Sequence, residues 1–145
     1  MSKEQRIGSH RVSWLTAHIV WVTKYRYKVL EGDIQKRCRE LVKQICDVED
    51  VRILKGVVSK YHVHIHIEYS PSLCISDIVK RLKGRTSRSL QEEYLDFSKR
   101  YLGRHFGAIG YGVWSTGNIT DEMVQEYLEH HRQPGNLDTD TIILE

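Results

Sequence analysis

Three observations predict an α+β protein of ferredoxin-like, split βαβ class. Local signals run β-α-β-β-α-β-α along 145 residues. Apolar residues alternate with period two over the expected strands and recur at helical spacing between them. The length and the 40% hydrophobic content suit one domain with its own core. The expected architecture is a four-stranded antiparallel sheet carrying two helices on one face. An extra C-terminal helix then needs a docking place, and the opposite sheet face is available. The core is expected over residues 12–133, with a tail over 134–145.

Residues 1–11 read as a loose arm. Leu15–Val22 (LTAHIVWV) is a short apolar run rich in β-formers, hence a strand, and Lys24–Lys28 (KYRYK) alternates basic and aromatic residues after it. Asp33–Cys46 places Ile34, Cys38, Leu41, Val42 and Ile45 at helical spacing, with Gly32 as a breaker before it. Val51–Val58 and Tyr61–Tyr69 read as two strands joined by a tight turn at Ser59-Lys60, and Pro71 stops the second. Ser76 is a candidate N-cap with Asp77 in the first turn, opening a helix with Ile78, Leu82 and Leu90 on one side. Leu95–His105 fits neither period cleanly. Ala108–Thr116 reads as a glycine-containing strand, and Thr120 caps a last helix, Asp121–His131, ended by Pro134-Gly135.

Composition narrows the function. No run approaches the roughly 18 apolar residues of a membrane span. Met1–Ser9 is polar, unlike a signal peptide. Cys38, Cys46 and Cys74 are odd in number and lack CxxC spacing, which suits reduced thiols in a cytoplasmic protein. The formal net charge is +3, but it is unevenly spread. Lys80–Arg88 holds five basic residues and no acidic one, and the first 28 residues carry six basic residues against one Glu. From Asn118 onward seven acidic residues face Arg132 alone. Such segregation suits a polyanionic partner, although a solvated helix face produces the same pattern. No GxxxxGK[ST] run is present, so no nucleotide cofactor is expected.

The most informative segment is Tyr61-His62-Val63-His64-Ile65-His66-Ile67-Glu68-Tyr69. Strand alternation puts Tyr61, Val63, Ile65, Ile67 and Tyr69 on one face. His62, His64, His66 and Glu68 occupy the other. Imidazole is the commonest metal-binding side chain, and two His at i and i+2 sit about 7 Å apart along a strand. Such a pair needs a third ligand from elsewhere. In the last helix Tyr127 and His131 lie four residues apart and share a face, with His130 one step round. Tyr127 also reads as a core aromatic beside Val124 and Leu128, and His131 as a residue on the helix dipole.

HVHIHIEYSP resembles the HUH motif, two His flanking a bulky hydrophobic residue. WVTKYRYKVL, DIVKRLKGRTSR and GRHFGAIGYGVWSTGNITDEMVQEYLEHH are similar to stretches of the HUH single-tyrosine, single-strand DNA transposases of the insertion sequence 200/605 type. The likeness runs from about His18 to about His131. It implies that His62 and His64 are the HUH pair holding Mg²⁺ or Mn²⁺, and that Tyr127 is the nucleophile. His131 stands where the family usually has Gln as third ligand, a departure that favours softer ions. His66 stands where the family usually has an aliphatic residue, and it creates an alternative pair, His64 and His66. Glu68 shares the strand face but lies two pleats from His64, a poor place for the base.

The implied activity is cleavage and rejoining of single-stranded DNA at hairpin-marked ends through a 5′-phosphotyrosine. The resemblance also implies a homodimer, in which the Tyr helix can serve the partner subunit's HUH pair across the Ser115–Ile119 linker. Lys24, Arg26, Lys80, Arg81, Lys83, Arg85, Arg88 and Arg104 are the candidate phosphate contacts. Tyr25, Tyr27 and Trp114 are candidates for base stacking or for the core. The competing readings are a replication- or relaxase-type nickase, a nucleic-acid-binding protein that has lost cleavage, and a His-rich metal-storage or metal-sensing protein.

Overall fold

The computed structural model describes residues 5–97, 110–115 and 121–130. In chain order these form β1 (Arg6–Ile7), β2 (Val12–Ser13), β3 (Leu15–Val22), a 3-10 turn (Lys24–Arg26), α1 (Gly32–Val48), β4 (Arg52–Val58), β5 (His62–Tyr69), α2 (Ile75–Glu93), β6 (Gly112–Trp114) and α3 (Asp121–His130). The main sheet has the order β4-β5-β3-β6, antiparallel throughout. Counted within that sheet, the strands run second-third-first-fourth with a helix after the first and third. This is the split βαβ arrangement.

Two layers of packing explain the burial along the chain. On one face Ala17, Ile19, Trp21, Val63, Ile65 and Ile67 meet Cys38, Leu41, Val42 and Ile45 of α1 and Ile78, Val79, Leu82 and Leu90 of α2. On the other, Val20 and Val22 meet Val124, Tyr127 and Leu128 of α3. The central strand β3 is therefore buried at every position from Ala17 to Val22, whereas β5 alternates. The C-terminal helix does occupy the face left open by α1 and α2.

Several local expectations are corrected. The N-terminal arm is partly ordered: β1 pairs with β2, and Arg6 reaches Glu68, 62 residues away. A contact at that separation leaves no local signature. Tyr61 precedes β5 rather than opening it, so it escapes the strand alternation and packs with Val20, Val22 and Tyr127 instead of with Val63. Cys74, in extended conformation, is the N-cap of α2, and Ser76 lies inside the helix with its hydroxyl 3.0 Å from Cys74 Sγ. Gly32 is the first residue of α1 and uses a φ of +58° to enter it. Of the strand expected over Ala108–Thr116, Gly112–Trp114 pair with β3, while Gly110, Tyr111 and Ser115 do not. Thr120, Pro134-Gly135 and the tail lie outside the described residues.

The three cysteines are free, and burial pushes the Cys38 and Cys46 thiols up to about 12. No helix among the described residues is long and apolar enough to cross a membrane.

Candidate active site

Register decides what lies beside the histidines. His62 is opposite Val22 of β3, His64 opposite Val20, and His66 opposite His18. Across β3, His18 pairs with Trp114 and Val20 with Gly112. Rows therefore run from β5 through β3 to β6, and α3 lies over them. Tyr127 and the β5 histidines share one face of the sheet, with α1 and α2 on the other.

Each imidazole has a distinct environment. His62 Nδ1 is 2.6 Å from Ser59 Oγ, and its ring meets Tyr61 edge-on at 5.0 Å. His64 Nε2 is 3.2 Å from His18 Nδ1. The His66 ring stacks on His18, centroids 3.9 Å apart and planes within 6°. Burial pushes the His66 imidazole down, and its Nε2 has no hydrogen-bond partner among the described residues. Ring lone pairs lie in the ring plane, and His66 is held face to face with its neighbour. The donor chemistry of His62 and His64, two imidazoles on one strand face, suits a divalent ion taking further ligands from elsewhere. Among the described residues no group of three or more His, Cys, Asp or Glu converges to hold one. His131, the expected third ligand, lies outside them. Sequence reasoning missed His18. Its only sequence signal is a lone His in the run LTAHIVWV, on the same alternation as Val20 and Val22.

Tyr127 is 6% exposed. It packs beside Val124 and Leu128, as the core reading expected, and its ring meets Trp114 edge-on, at 6.2 Å and 86°. Gly112 makes the room. A Cβ there would lie 2.6 Å from Trp114 Cη2 and 3.1 Å from Tyr127 Cδ1.

Glu68 closes the far end of the histidine row and is completely buried. Burial alone would raise its carboxyl, but Arg6 grips both oxygens at 2.9 Å and Arg52 Nε donates at 2.8 Å. These charge-assisted bonds outweigh burial and hold the group below the usual carboxylate range. Arg6 also bonds Asp50, and Arg52 lies 5.8 Å over the Trp14 ring.

The basic run on α2 is not brought to this face. Lys80, Arg81, Lys83, Arg85 and Arg88 belong to the helix layer across the sheet. Arg81 and Arg85 are paired with Glu49, and Lys83 Nζ donates to the Gly110 carbonyl at 3.0 Å. Lys80 and Arg88 are exposed and have no ion-pair partner among the described residues. Lys24 lies in the 3-10 turn after β3. Arg26 belongs to the same turn, but its side chain, like Arg104, lies outside what the structure describes.

The family model described as "Transposase IS200 like" matches residues 11–131. The chain belongs to the IS200-like transposase family. It is 31% identical over 113 residues to the transposase for insertion sequence element IS200 of Salmonella typhimurium, covering 78% of this chain and 74% of the relative. It is 26% identical over 126 residues to the ISDra2 transposase TnpA of Deinococcus radiodurans, covering 87% and 90%. A crystal structure of a putative transposase from Deinococcus radiodurans superposes with a TM-score of 0.81 at 25% identity, over 87% of this chain and 97% of that one. A REP-associated tyrosine transposase bound to a REP hairpin shares the fold, with a TM-score of 0.53 at 12% identity over 88% and 76%. This IS200-like transposase thus carries its histidine row and its C-terminal-helix tyrosine on one sheet face of a fold shared with these proteins.

Proposed function

We propose that this transposase cleaves and rejoins single-stranded DNA at hairpin-marked ends, with Tyr127 as nucleophile and His62, His64 and His131 as ligands of Mg²⁺ or Mn²⁺. One observation carries the reading: in a chain of this family, Tyr127 and the imidazoles of β5 lie on the same side of the sheet.

Tyr127 Oη forms a bond to the scissile phosphorus, and the bond from phosphorus to the 3′-oxygen breaks. The products are a 5′-phosphotyrosine and a free 3′-hydroxyl. A free phenol titrates near about 10, so its proton must leave as it attacks, while the departing 3′-oxygen takes one up. Glu68 is not the acceptor, since Arg6 and Arg52 already engage its carboxylate. A divalent ion, when bound, polarises a non-bridging phosphate oxygen as a Lewis acid. His62 and His64 would hold it on the sheet, and Ser59 and His18 brace their rings. The covalent phosphotyrosine keeps the bond energy, so an incoming 3′-hydroxyl rejoins the strand without a nucleotide cofactor.

A homodimer is part of this proposal. Edge strand β4 leaves Leu54 and Val57 exposed, and an unprotected edge of that kind invites pairing.

The test is adduct formation. Hairpin-containing single strands labelled at either end are incubated with the protein and Mg²⁺ or Mn²⁺, then run on a denaturing protein gel. The 3′ fragment is expected to travel with the protein, only with metal, and not in Tyr127→Phe. Tight, salt-sensitive binding without an adduct in the wild-type chain would leave a binding protein instead. An adduct that survives Tyr127→Phe would assign the nucleophile elsewhere.

A further inference from the structure

We infer that Tyr25, with Tyr27 and Lys24, is a stacking platform for an unpaired base of the single strand delivered to the His62–Tyr127 face. The inference rests on the DNA reading above and adds a binding site to it.

Two residues, Thr23 and Lys24, separate Tyr25 from Val22, the register partner of His62. The segment is tied down on both sides of the tyrosines. Thr23, buried, takes the Tyr61 carbonyl with its N–H at 2.8 Å and donates its hydroxyl to the Tyr27 carbonyl at 2.7 Å. Leu30 N–H donates to the Lys60 carbonyl at 2.9 Å. The loop is thereby fastened to the turn that opens β5 at His62.

Within this rigid frame Tyr25 takes a left-handed backbone, φ 62° and ψ 12°, which a bulky residue rarely adopts. Burial of the side chain does not offset that strain, since Tyr25 is 53% exposed. Backbone strain spent on an exposed aromatic points to a task outside the fold. Tyr27, 36% exposed, supports the ring at 5.4 Å and 50°. Lys24 Nζ stands 5.3 Å from the Tyr25 centroid. A fixed, half-exposed ring with an ammonium beside it is the equipment for one base and its phosphate. Stacking accepts any base, so this site contributes affinity and alignment rather than sequence choice.

The probes are a fluorescently labelled oligothymidylate, about ten nucleotides long, and an abasic deoxyribose-phosphate strand of the same length. Wild-type protein is expected to prefer the oligothymidylate by roughly tenfold or more. Tyr25→Asn removes the ring with a residue that tolerates the left-handed backbone, so the fold is kept. Its affinity for the oligothymidylate should fall to the wild-type value for the abasic strand and its affinity for the abasic strand should not change, while Tyr25→Phe keeps the preference. The platform is overturned if Tyr25→Asn still prefers bases, if it loses affinity for both probes equally, or if the wild type shows no preference. An adduct formed in the cleavage assay despite any of these results sinks the platform alone. Loss of both DNA binding and adduct in the wild type sinks the DNA reading with it.

Discussion

The ring of Tyr127 meets that of Trp114 at 86°, and the contact exists because residue 112 has no side chain. The candidate nucleophile is therefore positioned by a glycine on a three-residue strand. In Gly112→Ala the new methyl would fall 2.6 Å from Trp114, closer than real contacts allow, and the indole must move. A loss of about 1–3 kcal/mol is expected in chemical denaturation, the usual cost of overpacking. Adduct formation should fall further than global stability accounts for, because α3 loses its seat. An unchanged denaturation midpoint would show that the Trp114 ring is free to step aside.

Glu68 makes stability depend on acid. Arg6 and Arg52 hold its folded-state titration below the unfolded value of about 4.3. Its contribution is therefore fully present above that value and is lost as pH falls through the lower folded value. Glu68→Gln should cost about 3 kcal/mol near neutrality, since Arg52 loses its counter-charge and Arg6 keeps only Asp50. The wild type's advantage over the variant should shrink on acidification. Urea titrations at several pH values measure this, and a pH-independent difference would mean that packing rather than charge is lost.

His66 and His62 make opposite predictions for the metal pair. Held face to face on His18, His66 is a packing residue, so His66→Leu should keep metal-dependent adduct formation and near wild-type stability. His62→Ala should abolish Mn²⁺ binding and metal-dependent adduct formation. Isothermal titration with Mn²⁺ separates the two, and loss of binding in His66→Leu would move the pair to His64 and His66.

Charges on α2 should contribute unequally to DNA binding. Lys80 and Arg88 are exposed without ion-pair partners among the described residues, whereas Arg81 already faces Glu49. If α2 meets DNA phosphates, Lys80→Ala and Arg88→Ala should each lower the slope of log affinity against log salt by about one. Arg81→Ala should lower it less. Equal slopes for all three and the wild type would place the DNA away from this helix.

Periodicity is local, and what it encodes is legible in the sequence. Leu15–Val22 is a strand with the bounds its composition suggests, and the alternation of β5 separates His62, His64 and His66 from Val63, Ile65 and Ile67. The helical spacing of Val124, Tyr127 and Leu128 likewise marks the face by which α3 docks. Register and long-range contact are not local. His18 reaches His64 and His66 because β3 pairs with β5 in one register, and a slip of one residue would turn it to the other face. Arg6 meets Glu68 across 62 residues, Tyr61 joins Tyr127's side because β5 begins one residue later, and Glu49 claims two cations of a run that reads as uniformly available. Sequence by itself determined which residues share a face. Tertiary structure decided which faces meet and which charges were already paired, because those energies exist only once distant segments close on one another.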